Sequence, residues 1–184
     1  MLAYVFWHWP LSTITEHDYT EHLSAFHQSL RKNAFPGFHS SHIFQLKNAP
    51  WGPPSGQCYE DWYFVENFAD LETLNTVAVT AANKAPHDQA AHYAADGKAG
   101  LYQLYAGECA PARAHVACWF AKPAGMTYDT LFSLVRPLVE ESGGALWQRQ
   151  MTLGPTPEFC WWATISPSLP DAFTSLTLPL ESCS

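Results

Sequence analysis

The 184-residue sequence is poor in charged side chains, which form 14% of it against roughly 25% in an average domain. It also lacks any apolar run near the roughly 20 residues that a membrane span requires. The sequence has nine Lys and Arg residues and seventeen Asp and Glu residues, so its net charge is −8. It therefore lacks the excess of basic residues that is typical of nucleic-acid-binding proteins. We therefore expect a protein with neither a nucleic-acid partner nor a membrane partner.

Several motifs with known chemistry are missing as well. The sequence has no glycine-rich nucleotide-binding motif, no G-x-S-x-G nucleophile elbow and no C-x-x-C pair. The five cysteines are odd in number and widely spaced, so we interpret them as reduced thiols in a cytoplasmic protein. The N-terminal residues lack the basic start of a signal peptide and are typical of a strand.

The hydrophobic residues that are present, 47% of the chain, follow alternating strand and helix periods. In the first part of the chain, a capping box at Thr13–Glu16 begins a helix, Asp70 caps the next one, and Pro86 breaks that helix and begins another. The predicted strands cover 2–9, 38–47, 58–68 and 101–106, and the helices cover 14–32, 70–85 and 86–97. The order is βαββαβ, the ferredoxin-like arrangement.

The same pattern begins again after residue 113. It predicts strands at 115–123, 145–153 and 158–166, a helix from Thr127 to Gly143, and a last edge strand near 174–180. The remaining chain is too short for a second full helix and strand, so the second copy is shortened. We predict an α+β fold of two tandem ferredoxin-like halves, residues 1–107 and 114–184, in one compact domain.

Tryptophan is concentrated in the predicted strands, for example at Trp7, Trp62 and Trp119. These side chains fit two interpretations: a packed core, or the aromatic wall of a ligand pocket. Both stay open at the level of sequence. In the second interpretation, Gln148 on the sixth strand and His87 near a helix start join the ligand-binding residues.

A few polar side chains interrupt the aromatic strands and are candidate catalytic groups. His8 lies between two tryptophans, and Glu60 and Asp61 precede Trp62. Adjacent strand residues point to opposite faces, so we expect only one of the two carboxylates to face the interior. His8 is the leading candidate for a general base, with Glu60 or Asp61 orienting it and Arg149 neutralising anionic charge. The alternative is that these groups lie at strand ends or in structural ion pairs.

The histidine spacings do not predict a metal site. His87 and His92 are five residues apart and do not share a helix face, and the same objection holds for His17, His22 and His27. We therefore assign no metal and no cofactor from the sequence.

With its two successive βαββ layouts, the chain resembles the dimeric α+β barrel superfamily, here as a tandem repeat. That superfamily includes antibiotic-biosynthesis monooxygenase-like, EthD-like and stress-responsive barrel proteins, and haem-degrading monooxygenases. The resemblance is architectural, covers nearly the whole chain and implies a cleft between sheet and helices for small apolar or aromatic compounds. Haem-binding members use a helical histidine that faces this cavity, a part that the resemblance would give to His87 or His92.

Two functions from different classes follow as hypotheses. One is a small-molecule enzyme of the monooxygenase or isomerase type, acting on an apolar or aromatic compound in the cleft. The alternative is a non-catalytic ligand-binding or stress-associated barrel protein. A homodimer is favoured over a monomer, because the shortened second half should leave part of one sheet uncovered.

Overall fold

A computed structural model describes residues 1–54 and 56–183, which have a mixed α+β fold. The chain divides into a first unit, residues 1–99 with the C-terminal residues from 182, and a second unit, residues 100–181. The first unit contains β1 (Leu2–Pro10), α1 (Glu16–Lys32), β2 (Phe38–Lys47), β3 (Gln57–Val65), α2 (Phe68–Ala78) and α3 (Ala81–Tyr93). The boundary between the units falls within β4 (Ala94–Gly107).

In the first unit the strands lie in the order β4-β1-β3-β2. β3 is antiparallel to both β1 and β2, and Val5 of β1 lies opposite Trp62. Because successive side chains of a strand point to opposite faces, Tyr4 and Phe6 share one face of β1 and Trp7 lies on the other. The face that carries Tyr4 packs against the helices.

Helix α1 supplies most of the apolar surface that covers this face of the sheet. The spacing of Tyr19, Leu23, Phe26 and Leu30 by four, three and four residues predicts one apolar stripe, and this prediction is confirmed because all four residues are buried. The start of the helix differs from the prediction, since its N-cap is Thr15 rather than Thr13. The Thr15 side chain accepts a hydrogen bond from the Asp18 backbone N–H.

Two further helix boundaries correct the sequence prediction. The N-cap of α2 is Asn67, not Asp70, because the Asn67 side chain accepts the Asp70 N–H while the Asp70 carboxylate accepts the Asn67 N–H. Pro86 lies inside α3 rather than at its start. A proline leaves the carbonyl four residues earlier without its usual donor, and here that carbonyl, at Ala82, accepts a hydrogen bond from the Ser29 hydroxyl.

Strand β4 begins at Ala94, earlier than the predicted residue 101. The Leu11 N–H donates to the Tyr93 carbonyl at 2.8 Å, which directs the chain away from the helix. Gly97 then lies against the Phe6 ring and the Trp7 carbonyl, where a Cβ atom would have no room. The residues predicted to end a helix therefore form a strand.

The second unit is built from β5 (Val116–Phe120), α4 (Tyr128–Glu141), β6 (Ala145–Arg149), β7 (Phe159–Ala163) and β8 (Ser175–Pro179), followed by β9 (Glu181–Ser182). Its strands lie in the order β8-β5-β7-β6-β4, so the predicted edge position of β8 is confirmed. Thr127 caps α4 as predicted. β6 ends at Arg149 instead of 153, because the backbone turns at Met151, which has a φ of 55°.

Candidate active site

Glu60 and Asp61 are both buried, with exposures of 0% and 2%. They lie on opposite faces of β3, as the strand period requires. The expectation that only one of them would face the interior is wrong, because both faces of β3 are buried along its length. The strand therefore carries two separate buried carboxylates, each with its own partners.

Asp61 is the centre of a buried polar cluster on the helix-facing side. Its Oδ2 atom lies 3.2 Å from His8 Nε2 and 3.2 Å from His27 Nε2. The Tyr63 hydroxyl donates to the same oxygen at 3.0 Å. His8 continues the chain of contacts, because its Nδ1 atom lies 2.6 Å from the Tyr19 hydroxyl oxygen. We call His8, His27, Asp61, Tyr63 and Tyr19 the Asp61 cluster.

The electrostatics of the Asp61 cluster favour an ionised carboxylate beside a protonated phenol. Burial alone would raise the pKa of Asp61, but His8 and His27 outweigh it and hold the pKa below its usual range. Burial and the Asp61 charge both raise the pKa of Tyr63 well above its usual value. Tyr63 therefore keeps its proton and donates it in a hydrogen bond to Asp61.

Glu60 has an aromatic environment on the opposite face. The indole N–H groups of Trp7 and Trp62 both donate to its carboxylate, the latter at 2.6 Å. Burial raises the pKa of Glu60 to about 7, since it outweighs the two indole hydrogen bonds, which lower the pKa. Glu60 is thus a buried acid that titrates near neutral pH.

A cavity of about 620 Å³ lies between the helix-facing side of the sheet and the three helices of the first unit. Its volume is in the range that holds a drug-sized molecule. Five of its lining residues are aromatic: Tyr4, Phe6, Phe26, Tyr63 and Phe68. The other lining residues are Leu71, Glu72, Leu74, Asn75, Ala78, Val79 and His87.

Few polar groups line the cavity. His87 lies on its α3 wall, and its Nδ1 atom is 3.2 Å from the Asp88 carboxylate. Glu72 and Asn75 come from α2. Tyr63 connects the cavity with the Asp61 cluster, because it is a lining residue and its hydroxyl donates to Asp61.

The predicted site residues lie in three places: on the cavity side of the first-unit sheet, on the opposite face of that sheet, and in the second unit. His87 lines the cavity, and His8 and Asp61 lie behind its wall. Trp7 and Trp62 do not line the cavity, because they point to the opposite face of the sheet with Glu60.

The remaining three predicted residues lie in the second unit. Trp119 is fully buried and packs edge-to-face on Tyr102. Gln148 donates to the Glu158 carboxylate at 3.1 Å. The Arg149 guanidinium donates to the carbonyl oxygens of Gly154 and Thr156, which fastens the loop after β6.

Sequence reasoning misses His27 and Tyr63. A signal for His27 is present, because it follows Leu23 by four residues and so belongs to the buried stripe of α1. His17 and His22 lie outside that stripe. Tyr63 gives no such signal, since an aromatic residue in an aromatic strand is ordinary core.

Comparisons with known proteins support the fold. No family model matches the chain, and no curated protein matches its sequence. A protein named "putative monooxygenase" from Fusobacterium nucleatum subsp. nucleatum matches with a TM-score of 0.67 at 6% identity, over 100% of this chain and 92% of that chain. A second "putative monooxygenase", from Lactobacillus acidophilus NCFM, gives 0.61 at 6% identity over 100% and 94%. The chain shares their α+β fold.

A third solved structure belongs to an anthrone oxidase-like protein. It matches with a TM-score of 0.52 at 8% identity, over 99% of this chain and 93% of that chain. Identities this low show the fold alone. Along residues 1–54 and 56–183, no helix combines the length and the apolar character needed to cross a membrane.

Haem, which the superfamily resemblance raises, does not fit the cavity. A haem carries two carboxylates, and its binding site supplies basic or hydrogen-bonding partners for them. Among the described residues, the lining offers no Lys or Arg and places the acidic Glu72 there instead. His92, the other candidate axial ligand, is exposed on α3 and does not line the cavity.

Metal ligands come together at one exposed place in the described part of the chain. His17, Asp18 and Glu21 of α1 bring one ligand atom each within 4.8 Å of one another. The five-residue histidine spacing in the sequence does not reveal this set, because two of its members are carboxylates. All three side chains are exposed, and exposed acidic groups commonly lie this close without holding an ion.

Two of the cysteines, Cys58 and Cys109, are unsuited to act as reactive thiolates. All five are free thiols. Burial, with a smaller contribution from a neighbouring glutamate, raises the pKa of Cys58 and of Cys109 to about 12. A thiol with that pKa stays protonated at neutral pH and is a poor nucleophile.

Proposed function

We propose that this protein is a monooxygenase-type enzyme that oxidises an apolar aromatic small molecule with O2 in the cavity of the first unit. The observation that carries the proposal is the aromatic cavity wall in which Tyr63 contacts the ionised Asp61 carboxylate. The names of the two solved structures with the same fold support the reaction type.

The reaction begins with loss of a proton from an acidic C–H or O–H group of the substrate. Tyr63 accepts this proton on its hydroxyl oxygen while passing its own proton to the Asp61 carboxylate, which lies 3.2 Å from both His8 and His27. In this route Asp61 holds the proton and His8 is a positioning residue for Asp61, not the general base that the sequence predicts. The resulting carbanion is electron-rich enough to react with O2.

The atoms and electrons of the oxidation balance without a further reductant. A substrate CH2 group loses one proton, and the carbanion adds O2 to form a C–O bond and a peroxide anion. The proton held by the Asp61 cluster returns to the peroxide. Loss of the second C–H proton then breaks the O–O bond, so that one oxygen stays as a C=O group and the other leaves in water.

Anthrone is a suitable probe, since its central CH2 group is acidic and its oxidation to anthraquinone is easily followed by absorbance. We expect O2-dependent formation of anthraquinone with one oxygen atom derived from 18O2. An isomerase would carry out the proton transfer without O2 uptake. A non-catalytic binding protein would bind anthrone without oxidising it.

The variant Tyr63→Phe tests the proton route. It removes the hydroxyl that joins the cavity to Asp61, so we expect kcat for anthrone oxidation to fall about 100-fold or more while KM changes little. Tyr93→Phe, which removes a hydroxyl from the end of α3 outside the cavity lining, is the matched control and should keep the wild-type kcat. Equal kcat values for Tyr63→Phe and the wild type would remove the proposed route.

We also propose that the two units are repeats of one ferredoxin-like layout. The strand order β4-β1-β3-β2 of the first unit and the order β8-β5-β7-β6 within the second unit support this, because the chain order of the strands corresponds one to one. The helix that would follow the third strand is missing from the second repeat among the described residues. In the first unit the corresponding helix, α2, lines the cavity.

A further inference from the structure

One face of α2 forms the outer wall of the cavity. Leu71, Glu72, Asn75 and Ala78 line it, with the spacing of three and four residues that places side chains on one helix face. Glu72 and Asn75 are exposed. The two polar side chains therefore stand where the cavity meets solvent.

In the described part of the chain, the Glu72 carboxylate is unpaired. Among the residues that the structure describes, no ion pair or side-chain hydrogen bond engages this carboxylate, and no Lys or Arg lines the cavity. Lys84, the basic residue of α3, is paired with Asp88 at 2.5 Å. The chain as a whole carries a net charge of −8, so its overall field adds to that of Glu72.

We infer that Glu72 selects ligands by charge, so that the cavity takes uncharged hydroxylated aromatic molecules and rejects aromatic carboxylates. The inference rests on the proposed use of the cavity as a binding site. A phenol or alcohol can donate a hydrogen bond to Glu72 or to the Asn75 amide oxygen. A carboxylate would lose its water shell in an aromatic cavity and would meet a like charge at the entrance.

Two fluorescent probes of nearly equal shape test the inference. Titration of 9-anthracenemethanol and 9-anthracenecarboxylate gives the Kd of each, and at pH 8 an ordinary histidine is uncharged. We expect the wild type to bind the alcohol at least about tenfold more tightly than the carboxylate. Glu72→Gln should tighten carboxylate binding about fivefold and change alcohol binding less than about twofold.

Glu66→Gln is the matched control for Glu72→Gln. It removes an exposed carboxylate from the same unit, outside the cavity lining, and should leave both Kd values unchanged. In 1 M NaCl the effect of Glu72→Gln should shrink, because salt screens exposed charges.

Three other outcomes have separate meanings. A carboxylate Kd that Glu72→Gln does not change would overturn the charge selection alone. Failure of both probes to bind would overturn the charge selection and the proposed function together. Charge-dependent binding without any oxidation of anthrone would uphold the selection and contradict the proposed function.

Discussion

Asp61→Asn is expected to lower the free energy of unfolding by about 3 kcal/mol or more at pH 7. The Asp61 carboxylate lies 3.2 Å from each of two buried imidazoles and accepts the Tyr63 hydroxyl. An amide removes the negative charge that faces both histidines in this buried site. Urea unfolding at pH 7, followed by tryptophan fluorescence, measures the loss.

The pH dependence of the free energy of unfolding distinguishes the contribution of the Asp61 charge from that of its packing. Because the pKa of Asp61 is lowered in the folded protein, its contribution is fully present above the unfolded value of about 3.9 and is lost as the pH falls toward the folded value. Wild-type stability should therefore drop more steeply below about pH 4 than that of Asp61→Asn. Asp171→Asn, at an exposed position, is the control. A loss under about 0.5 kcal/mol for Asp61→Asn would contradict a structural role of the charge.

Glu60 should change the free energy of unfolding with pH in the direction opposite to Asp61, and Glu60→Gln tests this. The pKa of Glu60 is raised from 4.5 to about 7, so its favourable contribution is complete below about pH 4.5 and is lost as the pH rises through 7. We expect the wild type to lose about 2–3 kcal/mol between pH 5 and pH 8 from this group. Glutamine does not titrate, so the variant should gain that amount relative to the wild type over the same interval.

At pH 5 the Glu60→Gln variant should be no more stable than the wild type. A glutamine offers one oxygen acceptor, whereas Glu60, which is a neutral acid at pH 5, has two oxygens, one for the indole N–H of Trp7 and one for that of Trp62. Glu140→Gln, at an exposed position of α4, controls for the general change in charge. Parallel stability curves for the wild type and Glu60→Gln from pH 5 to pH 8 would show that burial does not raise the Glu60 pKa.

Local patterns in the sequence predict the elements but not all of their ends. The apolar stripe of α1 and the β-branched and aromatic run of β1 are signals that a single segment carries. Around Pro86 in α3, by contrast, the Ala82 carbonyl accepts a hydrogen bond from the Ser29 hydroxyl, 53 residues away in sequence. A hydrogen bond between distant segments leaves no trace in local spacing.

The candidate site, too, is only partly predictable from local sequence patterns. Strand period correctly places Glu60 and Asp61 on opposite faces, yet it does not say which face the helices cover. Sequence reasoning therefore assigns Trp7 and Trp62 to the ligand cavity, although they share the face of Glu60. The cavity wall is the face with Tyr4 and Tyr63, whose aromatic rings resemble ordinary core residues in sequence.

The most direct test of the account is whether an aromatic molecule binds in the first-unit cavity. Ala78→Trp places an indole into the cavity lining, whereas Thr76→Trp adds the same indole at an exposed position of α2 outside the lining. Titration with 9-anthracenemethanol should give a Kd at least about tenfold weaker for Ala78→Trp and an unchanged Kd for Thr76→Trp, with both variants folded by circular dichroism. Wild-type affinity in a folded Ala78→Trp protein would show that the ligand binds elsewhere and would contradict the account.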